Sequence, residues 1–211
     1  MPNYVKQAKS DVDKGLDDGT TVFASLFTSE LPASEKTLQR LTEEGFSLFA
    51  AGTETVSWAL TVATYHLLTK PSMLEKLTVE VNSVVDSSGE LPSWTALEKL
   101  PYLGAVIKEC LRLSYGLASR TSRIPTGEDL FYRGSWTPKG SGTSARVEYV
   151  IPRGSAIGMS AVVAHHDEEV YPDSHSFIPE RWLDEQNQLR KELDRSLLSF
   201  SKGSRGCIGI K

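Results

Sequence analysis

The sequence predicts a mainly α-helical protein with a small β portion. Two observations carry that expectation. Apolar and small residues recur at three- and four-residue steps over residues 34 to 69, and two further periodic runs follow Pro71 and Pro101. That spacing marks one face of a helix. Over residues 120 to 158 the texture changes, with frequent proline and glycine and short runs of β-type residues. Such runs, bounded by turn formers, read as strands.

Residues 1 to 20 are polar and weakly patterned, and no element is predicted there. The apolar run in TTVFASLFTSELP, closed by Pro32, predicts a short helix. In the long helix that follows, Leu38, Leu41, Gly45, Leu48, Gly52, Thr55, Ala59, Val62 and His66 share a face. Pro71 ends that helix and opens the next, PSMLEKLTVEVNSVVD, expected to stop before Ser87, Ser88 and Gly89. SWTALEKL predicts a short helix capped by Ser93. PYLGAVIKECLRLSYG predicts another, stopped by Tyr115 and Gly116. DLFYRG and VEYVIPRG read as strands, with SWTPKGSGTSAR as a flexible loop between them. A short helix is expected within SAIGMSAVVAHHDEEVYP, and irregular chain around PERW.

The 211 residues suffice for one good-sized domain with a core. A net charge of −4 gives no global basic field, which sets nucleic acid aside as a main partner. Two cysteines, Cys110 and Cys207, make no disulfide framework and suit a reducing compartment. No apolar stretch is long enough for a membrane helix, and the start lacks the apolar core of a signal peptide. Taken alone, the chain reads as soluble and intracellular.

The chemistry concentrates in four stretches. The last is FSKGSRGCIGIK, where Phe200, Gly203, Arg205, Cys207 and Gly209 form the pattern F-x-x-G-x-R-x-C-x-G. Glycines let another group approach the backbone closely. Backbone N–H groups and an arginine favour a thiolate, the form that binds metal. No second Cys or His is near in sequence, so a closed zinc site is not expected. One thiolate can still hold a metal whose other ligands belong to a cofactor, as with haem iron. The bland alternative is a surface turn with an incidental cysteine. Five fixed positions arise by chance on the order of once in several million starts at average usage. AAGTETVSW places Ala51 and Gly52 beside Thr55 on one helix face. Either they open a notch at its hydroxyl, or Thr55 bonds the Ala51 carbonyl. KECLRL puts Glu109 and Arg112 three apart, either an exposed ion pair or part of a network. IPERW brings Arg181, which would complete a charge-assisted network by returning to that pair. Cys110 reads as core. His165 and His166 invite a metal reading, but adjacent side chains diverge and no third ligand is evident.

Together and in this order, these stretches resemble the cytochrome P-450 family, from about residue 34 to the end. The resemblance implies a partial cytochrome P-450 fold running from the oxygen-activation helix to the haem-binding Cys loop. It implies haem b with Cys207 as the iron ligand, and Phe200, Gly203, Arg205 and Gly209 around it. Arg205 would pair with one propionate and Arg123 with the other, unless Arg123 is simply solvated. Glu54 and Thr55 match the A-G-x-(D/E)-T motif for proton delivery, although Val56 stands where Thr or Ser is frequent. Glu109, Arg112 and Arg181 match the Glu-Arg-Arg arrangement behind the haem. The implied activity is a monooxygenase hydroxylating or epoxidising an apolar small molecule with O2. Its electrons would come from NADPH through an NADPH-cytochrome reductase. The wording of LEKLPYLGAVIKECLRLSYG and AHHDEEVYPDSHSFIPERWL resembles fungal members acting on terpenoid and other secondary metabolites. Full-length members sit at the endoplasmic reticulum membrane, whereas this chain, lacking an anchor, reads as cytoplasmic. Residues 1–211 are expected to be a single partial domain without the family's N-terminal half and C-terminal end, with an insertion at 135–146. A truncated product or misassembled gene model, non-catalytic and weak in haem uptake, is the alternative. Retention of Glu54 and Thr55 argues against a relative that rearranges peroxides.

Overall fold

The computed structural model describes residues 1–17, 19–86, 90–138 and 140–210. About 51% of the chain is helical and 11% is strand, so the mainly α class with a small β portion holds. The chain gathers into two compact units, Met1–Thr61 and Val62–Lys211.

The first unit contains helix α1 (Pro2–Asp13), helix α2 (Val22–Thr28) and most of helix α3 (Leu38–Thr69). The weakly patterned start of the chain, expected to hold no element, thus contains α1. Pro2 stands in its first turn, where a missing N–H costs nothing. Gln7–Asp11 and Lys9–Asp13 pair at i,i+4 on its exposed side. Val5 is its one buried residue, too few to write a pattern. The Thr21 hydroxyl caps α2 by accepting the Ala24 amide at 3.2 Å. A 3-10 turn, Ala33–Lys36, precedes α3, which therefore starts later than its periodicity suggests. On the predicted face of α3, Leu41, Gly45 and Val62 are buried, while Leu48, Gly52 and Thr55 are exposed.

The second unit holds helices α4 (Pro71–Asn82), α5 (Trp94–Leu97) and α6 (Pro101–Ser114), then strands β1 (Thr121–Arg123), β2 (Leu130–Trp136), β3 (Ala145–Ile151) and β4 (Ile157–Met159), and helix α7 (Ala161–His165). α4 ends at Asn82, short of the expected stop, because the Ser83 amide turns back onto Val79 and Glu80. The stop expected at Ser87, Ser88 and Gly89 lies outside the described residues. Ser93 caps α5, accepting the Ala96 amide at 3.3 Å. The Glu80 carboxylate caps α6, accepting the amides of Tyr102 at 2.9 Å and Leu103 at 2.8 Å. An anion there also meets the positive end of the helix dipole. α6 stops where predicted, with Tyr115 at φ 64° and Gly116 at φ 67°.

β1 pairs antiparallel with β4, and β2 with β3. The latter pairing corrects the flexible-loop expectation for SWTPKGSGTSAR. Ser135 pairs with Arg146 and Trp136 with Ala145, leaving 137–144 as the connection. The Arg133–Glu148 ion pair and the Tyr132–Tyr149 ring stack support the pairing at neighbouring rungs. Lys139 of that connection is outside the described residues. The core gathers on Trp182, Tyr171 and Ala105, with Val170, Leu183, Leu189, Leu193 and Leu197 packed against them. Beyond β4 and α7 the chain uses 3-10 turns, among them Pro179–Trp182, Gly203–Arg205 and Ile208–Ile210.

Candidate functional site

Glu109 and Arg112 lie one helical turn apart on α6, and both side chains are 0% exposed. Burial at that level is tolerable only if each polar atom finds a partner. All of them do. Glu109 Oε1 accepts from Arg112 Nη2 at 2.7 Å, the Ile178 amide at 2.9 Å and Arg181 Nε at 3.1 Å. Glu109 Oε2 accepts from Arg112 Nε and from Trp182 Nε1, both at 2.9 Å. The remaining Arg112 N–H groups go to the carbonyls of His165, Ser174 and Ser176. All five guanidinium donors are thereby used. Arg181 also donates to the carbonyls of Pro172 and Asp173. The structure thus brings Glu109, Arg112 and Arg181 together as a buried network. Burial pushes the Glu109 carboxyl up, but Arg112 and the Ile178 and Trp182 donors outweigh it and hold it below the usual carboxylate range.

His165 is fully buried, and its two ring nitrogens both meet the backbone. Nδ1 lies 2.7 Å from the Arg112 carbonyl, and Nε2 lies 2.8 Å from the Leu198 amide. Burial pushes its pKa down, against the pull of the Arg112 carbonyl. His166 Nε2 lies 2.6 Å from the Tyr115 hydroxyl, and its Nδ1 lies 3.2 Å from Ser174 Oγ. All four ring nitrogens are thus within hydrogen-bond distance of protein partners, and among the described residues no three His, Cys, Asp or Glu side chains gather as a possible metal site. Sequence reasoning missed the part His165 plays, because its partners lie 53 and 33 residues away and leave no local signal.

The Cys207 loop closes on backbone bonds. The Cys207 amide donates to the Phe200 carbonyl at 2.8 Å, and the Gly206 amide to the Gly203 carbonyl at 3.0 Å. Gly203 sits at φ 75°, a conformation that side-chain-bearing residues resist. Cys207 and Arg205 are exposed. Arg205 makes no ion pair or side-chain hydrogen bond among the described residues. Nothing lies within 4 Å of where a Gly203 Cβ would stand, and a Gly209 Cβ would meet Cys207 Sγ at 3.7 Å. The absence of a side chain at Gly209 thus leaves that side of the exposed sulfur clear. One accessible thiol fits a metal whose other ligands travel with a planar cofactor, and haem is such a group. Cys110 is the opposite case: it is buried in α6, and burial pushes its thiol up to about 11 despite a hydrogen bond at Ala63.

Thr55 and Glu54 lie in the first unit, on the exposed middle of α3. The Thr55 hydroxyl donates to the Ala51 carbonyl at 2.8 Å, the helix-internal alternative. No atom stands within 4 Å of a Gly52 Cβ, so the face beside Thr55 is open. Arg123, on β1, is exposed and donates to the Ser122 carbonyl at 3.1 Å. No helix among the described residues is long and apolar enough to cross a membrane.

Comparison with known proteins gives one consistent result. The profile of the Cytochrome P450 family matches residues 1–211. The chain is 41% identical over 214 residues to cytochrome P450 monooxygenase MO6277 of Ascocoryne sarcoides, covering 98% of this chain and 39% of that protein. It is 42% identical over 205 residues to cytochrome P450 monooxygenase tndB of Aspergillus flavipes, covering 97% and 38%. It is 43% identical over 201 residues to cytochrome P450 monooxygenase ppzE of Metarhizium rileyi, covering 90% and 49%. The chain therefore spans less than half the length of these relatives.

Proposed function

The chain belongs to the cytochrome P450 family, and from that membership we propose that it carries the oxygen-activation helix and the thiolate loop of a haem monooxygenase. The observation that carries this reading is the exposed Cys207 thiol on its backbone-closed, glycine-rich loop. Cys207 Sγ would be the protein's ligand to iron, with Phe200, Gly203 and Gly209 shaping the loop. The exposed guanidinium of Arg205 would pair with one propionate, and Arg123 with the other. When bound, thiolate-ligated haem would supply oxygen activation.

The chain's own residues supply position and protons. The Cys207 amide, held by the Phe200 carbonyl, fixes the backbone of the ligand. The Glu109–Arg112–Arg181 network anchors α6 to the segment around Pro179–Trp182, so that the scaffold behind the loop does not shift. While Thr55 Oγ1 donates to the Ala51 carbonyl, its lone pairs remain able to accept a hydrogen bond from a water. Rotation of the hydroxyl away from Ala51 would let it donate a hydrogen bond to a water, and Glu54 on the same exposed stretch would pass a proton taken up from solvent along that water. The substrate class is an apolar small molecule, hydroxylated or epoxidised, and the electron source is NADPH through a reductase. By resemblance in wording, the setting is fungal secondary metabolism, with terpenoids a suitable class.

A second reading, a non-catalytic product, is favoured by one observation. Phe46, Phe49, Val56, Trp58 and Leu60 of α3 are all more than half exposed. An apolar helix surface of that kind does not suit a self-sufficient enzyme. The experiment is to express residues 1–211, add haem, and measure haem bound per chain and substrate turnover with a reductase. Stoichiometric haem with turnover supports the monooxygenase reading for this chain. Failure to incorporate haem supports the non-catalytic reading.

A further inference from the structure

The last carbonyls of any α-helix lack intrahelical donors and must be satisfied from outside. At the end of α6 this need is met from elsewhere in the second unit. The Leu111 carbonyl, which also takes the Tyr115 amide at 3.2 Å, accepts the Ser199 hydroxyl at 2.6 Å. The Arg112 carbonyl faces His165 Nδ1 at 2.7 Å. A carbonyl only accepts, so Nδ1 carries the proton. The Leu198 amide only donates, so Nε2, 2.8 Å away, is bare. The two contacts together fix one neutral tautomer. Arg112 holds the same histidine a second time, through Nη1 on the His165 carbonyl at 2.8 Å.

Leu198 is the residue from which the Cys207 loop departs. Its carbonyl accepts the Ser201 amide at 2.8 Å, and the Phe200 carbonyl accepts the Cys207 amide at 2.8 Å. Hydrogen bonds from the end of α6 through the His165 ring to Leu198, and from Phe200 to Cys207, are thus joined by the short covalent stretch from Leu198 to Phe200. We propose that His165 is a positioning residue for Cys207: its neutral ring, clamped between the Arg112 carbonyl and the Leu198 amide, sets where the chain departs into the thiolate loop. Ser199 on Leu111 is the second tether. The catalytic sense of this role rests on Cys207 as the iron ligand, whereas the link itself does not.

The test is made on the 211-residue chain without haem, reading amide hydrogen exchange at Leu198, Cys207 and Ile178. His165→Asn can keep a donor for Arg112 but cannot reach Leu198. Exchange at Leu198 and Cys207 should then speed up about tenfold, the usual effect of one lost hydrogen bond. His165→Gln places an amide oxygen near the Nε2 position and should restore most of the protection. Ile178, bonded to Glu109, should be unaffected in both. Acceleration at Leu198 alone, or a Gln variant no better than Asn, overturns the proposal. If the Asn variant fails to fold, the 15N resonances of the wild-type imidazole decide. A protonated Nδ1 and a bare Nε2 coupled to the Leu198 amide support the link, and the opposite tautomer overturns it. Adding haem separates the two readings. If the amides respond as stated but even the wild-type chain gives no thiolate-type spectrum, the link stands and the haem reading falls.

Discussion

The Glu109 network and the Cys207 loop lie in one unit and follow opposite plans. Around Glu109 and Arg112 every polar atom is matched and both side chains are sealed from water. Around Cys207 the backbone alone is matched, and the thiol and Arg205 face outward. The difference teaches a division of labour. Stability is concentrated where charge is buried, and accessibility is kept where, in the proposed reading, a cofactor would land. Substitutions in the network should therefore cost folding, and substitutions in the loop should cost ligand binding with the fold intact.

Glu109→Ala should break the comparison most severely. It leaves Arg112 charged and buried without its carboxylate, at a cost of about 3–5 kcal/mol. Urea unfolding should show most of the stability of the second unit lost. A cost below about 1 kcal/mol would mean that water reaches the site and that the network is not sealed. Gly116→Ala comes next, at the joint between network and loop. The position has φ 67°, and a Cβ there would stand 2.0 Å from the Ser199 carbonyl oxygen. The expected loss is about 2–3 kcal/mol, read by thermal unfolding.

Acid should act on the network before the loop. His165, His66 and His166 all have pKa values pushed down, in each case first by burial. A depressed histidine contributes stability that is fully present above its unfolded value, 6.5. That contribution is lost as pH falls from there through the folded value. Glu109, also depressed, adds a loss below its unfolded value of 4.5. Urea midpoints should hold steady above about pH 6.5 and fall in two stages below it. A midpoint that rises on acidification to pH 5 would contradict the buried, neutral His165.

Thr55→Ala should have the smallest effect on stability, within about 0.5 kcal/mol, because the residue is exposed. In a haem-loaded protein with its reductase, the same change should divert reducing equivalents to peroxide. Unchanged coupling of NADPH use to product would show that another group carries the protons.

The same contrast governs what the sequence made legible. Ser93 caps its helix, Pro71 and Pro101 open theirs, and Tyr115-Gly116 closes α6, all as local chemistry dictates. The motif spacing placed Glu109 and Arg112 on one face, and only the fold could return Arg181 to them. α1 escaped notice because a single buried valine writes no period. The strands of the β2–β3 hairpin run further into SWTPKGSGTSAR than its Gly and Ser content suggests, since cross-strand partners rather than composition decide pairing. His165 and the Glu80 cap on α6 depend on partners 22 to 53 residues away, which no periodicity encodes.

The central claim is that Cys207 is the iron-binding thiol and Cys110 a core residue. The direct measurement is the ferrous–CO absorption spectrum of the haem-loaded chain, recorded for Cys207→Ser and Cys110→Ala beside wild type. The account predicts that Cys207→Ser keeps the urea midpoint but abolishes the red-shifted Soret band of thiolate-bound haem. Cys110→Ala should keep the band and lower the midpoint. Survival of the band in Cys207→Ser, or its loss in a folded Cys110→Ala, would contradict it.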